Sequence, residues 1–403
     1  MMKHAFWLAA VLGTVGLYGC SVLVSIPSSD LETGGGGNTP GGGATASGGV
    51  ASEGGTSNAG DTSLTGGSQA NGGTAATGGI TSTDGTAAAG GTTSAGDAGV
   101  TGGDAGTGDS GVPPPEKMFF GNIPTSTNDV IRDDFATYWQ QIVPENVGKW
   151  GLVQPNSQDQ FDWTALDAMY KYANDHNLIF KQHNFFCGNQ QPDWVNEANA
   201  AAAGEKWVKT FCERYPKTKL IDVVNEPSHD ANTPRYINGM GGLGTTGYDW
   251  VITAYQWARK YCPNAILIVN DYNIIEYDKD HNTFMTMMQA LLAAGAPIDA
   301  IGAEGHDVYL KTTDRVRLRI NDLATLGLPV YITEYDINLA DDTQQLNTMK
   351  DQIQMFWDDP NVKGFTYWGY IVGQTWRTNA GLVNSDGSFR PAMTWLQEFI
   401  HSR

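Results

Sequence analysis

The sequence feature that most constrains the fold is a regular alternation of short apolar runs with longer amphipathic stretches over residues 117–403. The apolar runs are five or six residues long and rich in β-branched side chains, as strands buried on both faces are. We predict eight strands, at residues 118–123, 141–145, 178–183, 220–225, 265–270, 300–305, 330–334 and 364–368.

The stretches between the strands carry apolar residues three and four apart, which predicts helices. The spacing is clearest at residues 164–173, 313–320 and 341–356, and Thr313 with Asp314 supplies an N-terminal cap. Strand–helix alternation builds right-handed units, and eight of them close into a (β/α)8 barrel of the α/β class, the TIM-barrel architecture. The alternative, an open α/β sheet, accounts less well for eight strands.

Residues 1–20 have the pattern of an export signal, with Lys3 and His4 before an apolar stretch that is too short to span a membrane comfortably. Residues 17–20 (LYGC) resemble a bacterial lipobox, in which the Cys is acylated. We therefore expect a lipid anchor on Cys20 that holds the protein at the outer membrane or cell surface. The alternative is a secretory signal cleaved elsewhere and a secreted protein.

Residues 21–116 consist mainly of Gly, Thr, Ser and Ala, with almost no aromatic residues and no helical or strand periodicity. A segment of this composition cannot offset the entropy lost on ordering, so we predict a disordered low-complexity tether before one folded domain at residues 117–403. As a flexible coil it would span about 50–60 Å between its ends.

Charge and cysteine content exclude two classes of function. The net charge of −19 argues against nucleic acid as a partner. The spacing of Cys187, Cys212 and Cys262 matches no zinc site, and this odd number of cysteines allows one disulfide within the domain. A Cys187–Cys212 bridge and buried thiols are both open alternatives. We expect a monomer.

Polar residues follow five of the predicted strands. They are Glu145-Asn146, Asn225-Glu226, Asn270-Asp271, Glu304 with His306, and Thr333-Glu334. The carboxyl ends of parallel barrel strands meet at one rim, where barrel enzymes have their active sites. This distribution predicts a polar site at that rim.

Glu226 and Glu334 each end a buried apolar run. Burying a lone carboxylate is costly, so such a residue needs either a structural partner or a catalytic role. Two carboxylates facing one cleft are what glycoside hydrolysis requires, because one protonates the leaving oxygen while the other attacks or activates water. Structural ion pairs remain the alternative for either residue alone. Since water and two carboxylates suffice for this reaction, we expect no metal and no organic cofactor.

Six stretches, in order, resemble motifs of glycoside hydrolase family 10, the retaining endo-β-1,4-xylanases, over residues 119–400. They are residues 143–150 (VPENVGKW), 222–226 (DVVNE), 270–273 (NDYN), 332–337 (ITEYDI), 367–369 (YWG) and 375–377 (TWR). The resemblance implies that Glu226 is the acid/base and Glu334 the nucleophile. Like-charge repulsion from Glu334 would then keep Glu226 protonated at working pH.

The resemblance also implies supporting roles for neighbouring residues. Asn225 would hydrogen-bond the sugar 2-hydroxyl, and His306 would bridge Glu334 and Asp336 so that the nucleophile stays ionised. The implied substrate-binding residues are Glu145, Asn146, Lys149, His183, Tyr272, Glu304, Trp368 and Trp376.

The chain departs from the family pattern at residues 182–190 (QHNFFCGNQ), where the family has G-H-T-L-V-W-H-S-Q. Cys187 replaces a Trp and Gly188 a His, while Glu304 replaces an amide in the family's Q-S-H. We expect a gap beside the cleaved sugar, partly refilled by Phe185 or Phe186, of which strand alternation lets only one face inward. Such a gap predicts low activity on unsubstituted xylan.

These patterns predict a retaining endo-glycosidase that acts on xylan or a related β-linked plant polysaccharide. One alternative is a related barrel glycosidase with another specificity, such as a β-glucan or the side chains of arabinoxylan. A second is a surface carbohydrate-binding protein without catalysis, which the presence of both Glu226 and Glu334 disfavours.

Overall fold

The computed structural model describes residues 118–125 and 129–403. Within them, eight parallel strands pair in chain order and close into a barrel, which confirms the predicted (β/α)8 fold. The strands are β1 (Phe119–Asn122), β2 (Gln141–Ile142), β3 (Ile179–Phe186), β4 (Leu220–Asn225), β5 (Ile266–Asp271), β6 (Ala300–Ala303), β7 (Val330–Tyr335) and β8 (Val362–Tyr367). The predicted signal, Cys20 and the predicted tether lie outside the described residues.

Several strand bounds differ from the predicted ones. β4 has the predicted bounds, but β2 ends at Ile142, three residues before the predicted end at Glu145. The N–H groups of residues 145–147 donate to the Asp129 carboxylate instead of to a neighbouring strand. β3 runs three residues beyond its predicted end at His183, because Phe186 pairs with Val224 after a shift in register.

Helices alternate with the strands around the barrel. They are α1 (Phe135–Tyr138), α2 (Trp150–Val153), α3 (Thr164–Asp175), α4 (Ala200–Arg214), α5 (Asp249–Tyr261), α6 (Asp278–Ala293), α7 (Thr313–Ala324), α8 (Asp342–Asp358) and α9 (Pro391–His401). The side chains of Thr312 and Asp341 accept N-terminal backbone N–H groups of α7 and α8, so the α7 cap lies one residue before the predicted one. In the described part of the chain, no helix combines the length and the apolarity needed to cross a membrane.

Two apolar regions stabilise the body of the barrel, and a third, smaller one at its carboxyl end consists of Ile123, Val143 and Trp368. A large cluster fills the layer between strands and helices. A small apolar cluster fills the barrel interior near the beginnings of the strands. It consists of Phe119, Leu220, Ile266, Ile268, Ala300 and Tyr331. Because this cluster occupies the amino end of the interior, the polar side chains at the strand ends face a shared cleft.

A disulfide joins Cys212, near the end of α4, to Cys262, which directly follows α5. The Cys187–Cys212 bridge considered from the sequence is therefore wrong. α4 and α5 pack side by side, so their final turns bring these two cysteines together, with their Cα atoms 5.3 Å apart. Cys187, which follows β3, is buried and lies outside the bridge.

Candidate active site

Glu226 directly follows β4 and Glu334 lies at the penultimate position of β7, and both side chains are almost fully buried. Two amides connect them. Asn225 Nδ2 donates to Glu226 Oε1 (3.1 Å), and Asn270 Nδ2 donates both to Asn225 Oδ1 (2.7 Å) and to Glu334 Oε1 (2.8 Å). The barrel therefore places the two predicted carboxylates at one rim and holds them in one hydrogen-bonded network.

Asn270, in β5, is the centre of this network, although the sequence analysis gave it no role. The Thr333 hydroxyl donates to Asn270 Oδ1, which fixes the orientation of the amide. The Asn270 amide then presents Nδ2 to Glu334 Oε1 and, at 3.2 Å, to Glu304 Oε1. Its place in a polar cluster at the end of a predicted strand was a signal that could have identified it.

The backbone at Glu226 is held in a left-handed conformation, with φ of 58°. A non-glycine residue rarely adopts this conformation, and it persists only where the surroundings hold it. Here the Glu226 N–H donates to the Asn270 carbonyl oxygen (2.7 Å), which extends the β4–β5 pairing by one residue. This arrangement sets the direction of the Glu226 side chain at the end of β4.

Basic side chains around Glu334 keep its carboxyl group ionised. Burial alone would raise the pKa of its carboxyl, but the nearby basic side chains of His183, His306 and Lys181 lower that pKa to about 2. His306 Nε2 lies 3.4 Å from Glu334 Oε2, while its Nδ1 donates to Asp336 Oδ2 (2.9 Å). The expected bridge from Glu334 through His306 to Asp336 is therefore present.

His306 itself carries a positive charge. Burial favours the neutral imidazole, but the carboxylates of Asp336 and Glu334 outweigh burial and raise the pKa of His306 to about 9. Ligand atoms of Glu304, His306 and Glu334 lie within 4.8 Å of one another, a spacing that a metal ion could span. A protonated imidazole offers N–H groups and no lone pair, so the chemistry of this set suits ion pairing better than metal binding at neutral pH.

Two further basic side chains, both from β3, lie near Glu334. His183 Nδ1 lies 2.9 Å from Asp222 Oδ2 and 3.7 Å from Glu334 Oε1. Lys181 Nζ lies 2.9 Å from the same Asp222 oxygen, and all of these side chains are nearly completely buried. The sequence analysis missed Lys181 and Asp222 as site residues. The signal for Lys181 was its position two residues before His183, since alternate strand residues face the same side.

Glu145, Asn146 and Lys149 come together beside the cleft, as the resemblance implied. Lys149 Nζ and Gln190 Nε2 both donate to Asn146 Oδ1, at 3.4 and 3.0 Å. Burial, then the charge of Asp129, raise the pKa of Glu145 to about 8, although Lys149 opposes the change. Asp129 anchors this loop through three backbone N–H groups, and no sequence pattern pointed to it.

Aromatic side chains pack on the two histidines that lie near Glu334. Trp368 contacts His183 edge-on, with ring centroids 5.3 Å apart, and Trp376 contacts His306 in the same way at 4.6 Å. Trp376 Nε1 also donates to Asp336 Oδ2 (2.8 Å). Trp376 is partly exposed, so it forms part of the cleft wall while it orients Asp336.

Glu304, which directly follows β6, belongs to the network of the nucleophile. Its Oε1 accepts from Asn270, and its Oε2 lies 3.6 Å from His306 Nε2. Glu304 and Glu334 therefore share the donor Asn270, and both lie at ion-pair distance from His306. Burial and then the charge of Glu226 raise the pKa of the Tyr272 hydroxyl.

At Gly188 the expected gap is filled by backbone from another loop. Gly188 N donates to the Asn232 carbonyl oxygen (2.8 Å), and a Cβ on Gly188 would lie 2.3 Å from that oxygen. The expectation that one phenylalanine refills the gap is also wrong. Phe185 packs on Trp207 and Phe211, and Phe186 packs on Trp150 and Trp257, so both face the helix layer.

The sequence matches the family model described as Glycosyl hydrolase family 10 over residues 118–399. It is 40% identical over 284 residues to Endo-1,4-beta-xylanase B from Cellvibrio japonicus (strain Ueda107), an alignment that covers 70% of this chain and 45% of that protein. It is 28% identical over 256 residues to Endo-1,4-beta-xylanase B from Thermotoga neapolitana, with 58% and 71% covered. The chain thus spans less than half the length of the Cellvibrio japonicus relative.

Solved structures show the same fold. Native xylanase 10B from Thermotoga maritima aligns with a TM-score of 0.62 and 25% identity, over 71% of this chain and 97% of that one. Xylanase 10B from Thermotoga petrophila RKU-1, in complex with xylobiose, aligns with a TM-score of 0.63 and 24% identity, over 71% and 94%.

Proposed function

The chain belongs to glycosyl hydrolase family 10, and from this premise we propose that it is a retaining endo-glycosidase that cleaves β-1,4-xylosidic bonds of xylan or a related plant polysaccharide. The observation that carries the proposal is the pair of buried carboxylates joined through Asn225 and Asn270. Two relatives that the chain resembles are named as endo-1,4-beta-xylanases.

The two carboxyls have environments suited to different roles. The pKa of Glu334, lowered to about 2, leaves an ionised nucleophile at any working pH. We propose that Glu334 attacks the anomeric carbon while the glycosidic C–O bond breaks and Glu226 gives its proton to the leaving oxygen. Glu226 then takes a proton from water, which attacks the anomeric carbon and releases Glu334. Asn225 is placed beside Glu226, where it could bind the sugar 2-hydroxyl.

Carboxylate substitutions test the mechanism. We expect Glu334→Ala to abolish turnover and to be rescued by azide, which would give a product of inverted configuration. Glu226→Ala should retain activity on substrates with activated leaving groups, because these need no proton. Identical behaviour of the two variants would contradict the assigned roles. A carboxyl separation of about 5–5.5 Å is expected for retention, whereas a separation near 9 Å would indicate inversion.

A polysaccharide panel tests the substrate. We expect the full chain to release reducing sugar from xylan, measured beside β-glucan and arabinoxylan, with Glu334→Ala as the control. Because the Asn232 backbone occupies the space at Gly188, the gap from which low activity on unsubstituted xylan was predicted is absent at that residue. Binding to insoluble xylan without release of sugar would instead favour the non-catalytic carbohydrate-binding alternative.

We also propose that the protein is exported, anchored through an acylated Cys20 and monomeric. The support for the anchor is the lipobox-like LYGC at residues 17–20, followed by the Gly, Thr and Ser composition of residues 21–116. An anchor with a long linker would place the catalytic domain away from a membrane surface, within reach of an insoluble polymer.

A further inference from the structure

A second charged histidine, His229, lies beside the reaction centre but outside the network of Glu334. Its Nδ1 donates to Asp271 Oδ1 (2.8 Å), and its Nε2 lies 3.8 Å from Asp280 Oδ1. Its ring stacks on Tyr272, with centroids 3.7 Å apart and planes 14° from parallel. The sequence analysis assigned no role to this residue.

Asp271, at the end of β5, ties two loops of the site together. This fully buried carboxylate accepts from the N–H groups of Ser228 and Tyr272, both at 3.0 Å, as well as from His229. The loop after β4 and the loop after β5 are therefore joined at one residue. As a result, the positions of His229 and Tyr272 are coupled through both the ring stack and Asp271.

The stack on Tyr272 is cationic. Burial favours the neutral imidazole of His229, but Asp271 and Asp280 outweigh burial and raise its pKa to about 9. A cation over the face of an aromatic ring is attracted by the negative charge density of that face. His229 therefore covers one face of Tyr272, and Tyr272 remains partly exposed.

Tyr272 lies on the side of the site where the leaving group departs. The proposed acid, Glu226, must reach the leaving oxygen, and its charge is the largest contributor after burial to the raised pKa of Tyr272. His229 follows Glu226 by three residues, and its N–H donates to the Glu226 carbonyl oxygen (3.3 Å). The stacked pair therefore adjoins the acid.

We propose that His229 is a positioning residue that holds the Tyr272 ring as a packing platform for the sugar on the leaving-group side. This inference rests on the proposed glycosidase function. His229 contacts Asp271, Tyr272 and the Glu226 backbone, so it acts on binding at this subsite through Tyr272. The occupant is a β-linked pyranose, whose apolar C–H face packs on an aromatic ring.

The proposal can be tested in the full chain by measuring how the glycosyl-enzyme intermediate divides between hydrolysis and transfer to a sugar. A dinitrophenyl β-xylobioside forms the intermediate, which then transfers to water or to added xylobiose. Xylobiose must occupy the leaving-group side, whereas water needs no platform. For His229→Ala and His229→Gln we expect the ratio of transfer to hydrolysis to fall roughly 3- to 30-fold. The KM for a long xylo-oligosaccharide should rise. Gln retains a donor to Asp271 but lacks the ring, so it separates the stack from the folding of the loop.

A double-mutant cycle with Tyr272→Ala shows whether His229 acts through the ring. We expect the double variant to match Tyr272→Ala alone, because the two residues form one unit. The matched control is His176→Ala, since His176 stacks on Tyr172 in the same way (4.0 Å) at the C-terminal end of α3, remote from the cleft.

An unchanged transfer ratio in both His229 variants, or effects that add to those of Tyr272→Ala, would overturn the proposal. Failure of the proposed glycosidase function would look different, since the unmodified protein would then release dinitrophenol no faster than Glu334→Ala does.

Discussion

At the scale of single residues, the site depends on opposite pKa changes in neighbouring groups. The pKa of His306 is raised to about 9, above the 6.5 of a free imidazole, and that of Glu334 is lowered to about 2, below the ordinary 4.5. The stability that His306 contributes is fully present below pH 6.5 and is lost as pH rises through 9. The contribution of Glu334 is present above pH 4.5 and is lost as pH falls through 2.

Removing the charge of Asp336 should make His306 easier to deprotonate. Of the groups that raise the pKa of His306, the Asp336 carboxylate is the strongest. In Asp336→Asn we expect the pKa of His306, followed by NMR of its imidazole, to fall by about 1–3 units, the usual effect of one adjacent opposite charge. The exposed Asp386→Asn is the control and should leave that pKa in place. An unchanged pKa of His306 in Asp336→Asn would contradict the assigned role of Asp336.

Glu276, between β5 and α6, is a fully buried acid whose pKa is raised by burial to about 7. Its unfolded form loses its proton near pH 4.5, so the folded state binds more protons and stability falls as pH rises from about 4.5 to 7. Glu276→Gln should therefore stabilise the protein at pH 8 by about 2–3 kcal/mol and have little effect near pH 4.

Urea unfolding at both pH values measures this difference, with the exposed Glu398→Gln as control. Equal changes in unfolding free energy at pH 4 and pH 8 would contradict the assignment of a buried, neutral Glu276.

At the scale of secondary-structure elements, the α4–α5 pair carries the Cys212–Cys262 disulfide, which closes a loop of 50 residues in sequence. The chain-entropy account gives about 4 kcal/mol of stabilisation for a loop of this length. We expect Cys212→Ala/Cys262→Ala to lower Tm, and reduction of the unmodified protein to lower it to the same value. Activity at room temperature should be retained, because both cysteines lie at the C-terminal ends of their helices, away from the carboxyl ends of the strands. A Tm independent of reduction would contradict the bridge.

The loops after β3 and β4 meet where Gly188 donates to the Asn232 carbonyl oxygen. Any side chain at position 188 would displace that carbonyl, and overpacking of this kind costs about 1–3 kcal/mol. We expect Gly188→His to lower Tm and to gain no activity on linear xylo-oligosaccharides, although the family has His there. Gly188→Ala should show a smaller loss of the same sign. Ala202→His, on the exposed face of α4, is the control for the added imidazole.

At the scale of the whole molecule, the composition of residues 1–116 leads to a prediction about location. We expect incorporation of labelled palmitate to depend on Cys20, and amide hydrogens of residues 21–116 to exchange without protection. A Cys20→Ser protein that still fractionates with membranes would contradict the anchor. Slow exchange within residues 21–116 would contradict the tether.

The sequence alone determined the barrel and the two carboxylates. Strand and helix patterns depend on the spacing of apolar residues within one element, so β4 and the helix over residues 164–173 could be predicted from the local amino-acid sequence. Glu226 and Glu334 could be located for the same reason, because each ends such a run. The resemblance then supplied His306 and Asp336 through short motifs.

Only the tertiary structure decided which side chains complete the site. Asp129 accepts N–H groups 16–18 residues away, Asn270 reaches Glu334 across 64 residues, and Asn232 closes the gap at Gly188. The Cys212–Cys262 bridge likewise depends on two helices packing side by side. Such contacts join residues that are close only once the barrel has closed. No local pattern encodes them, because the geometry of closure, and not the spacing along the chain, brings these atoms together.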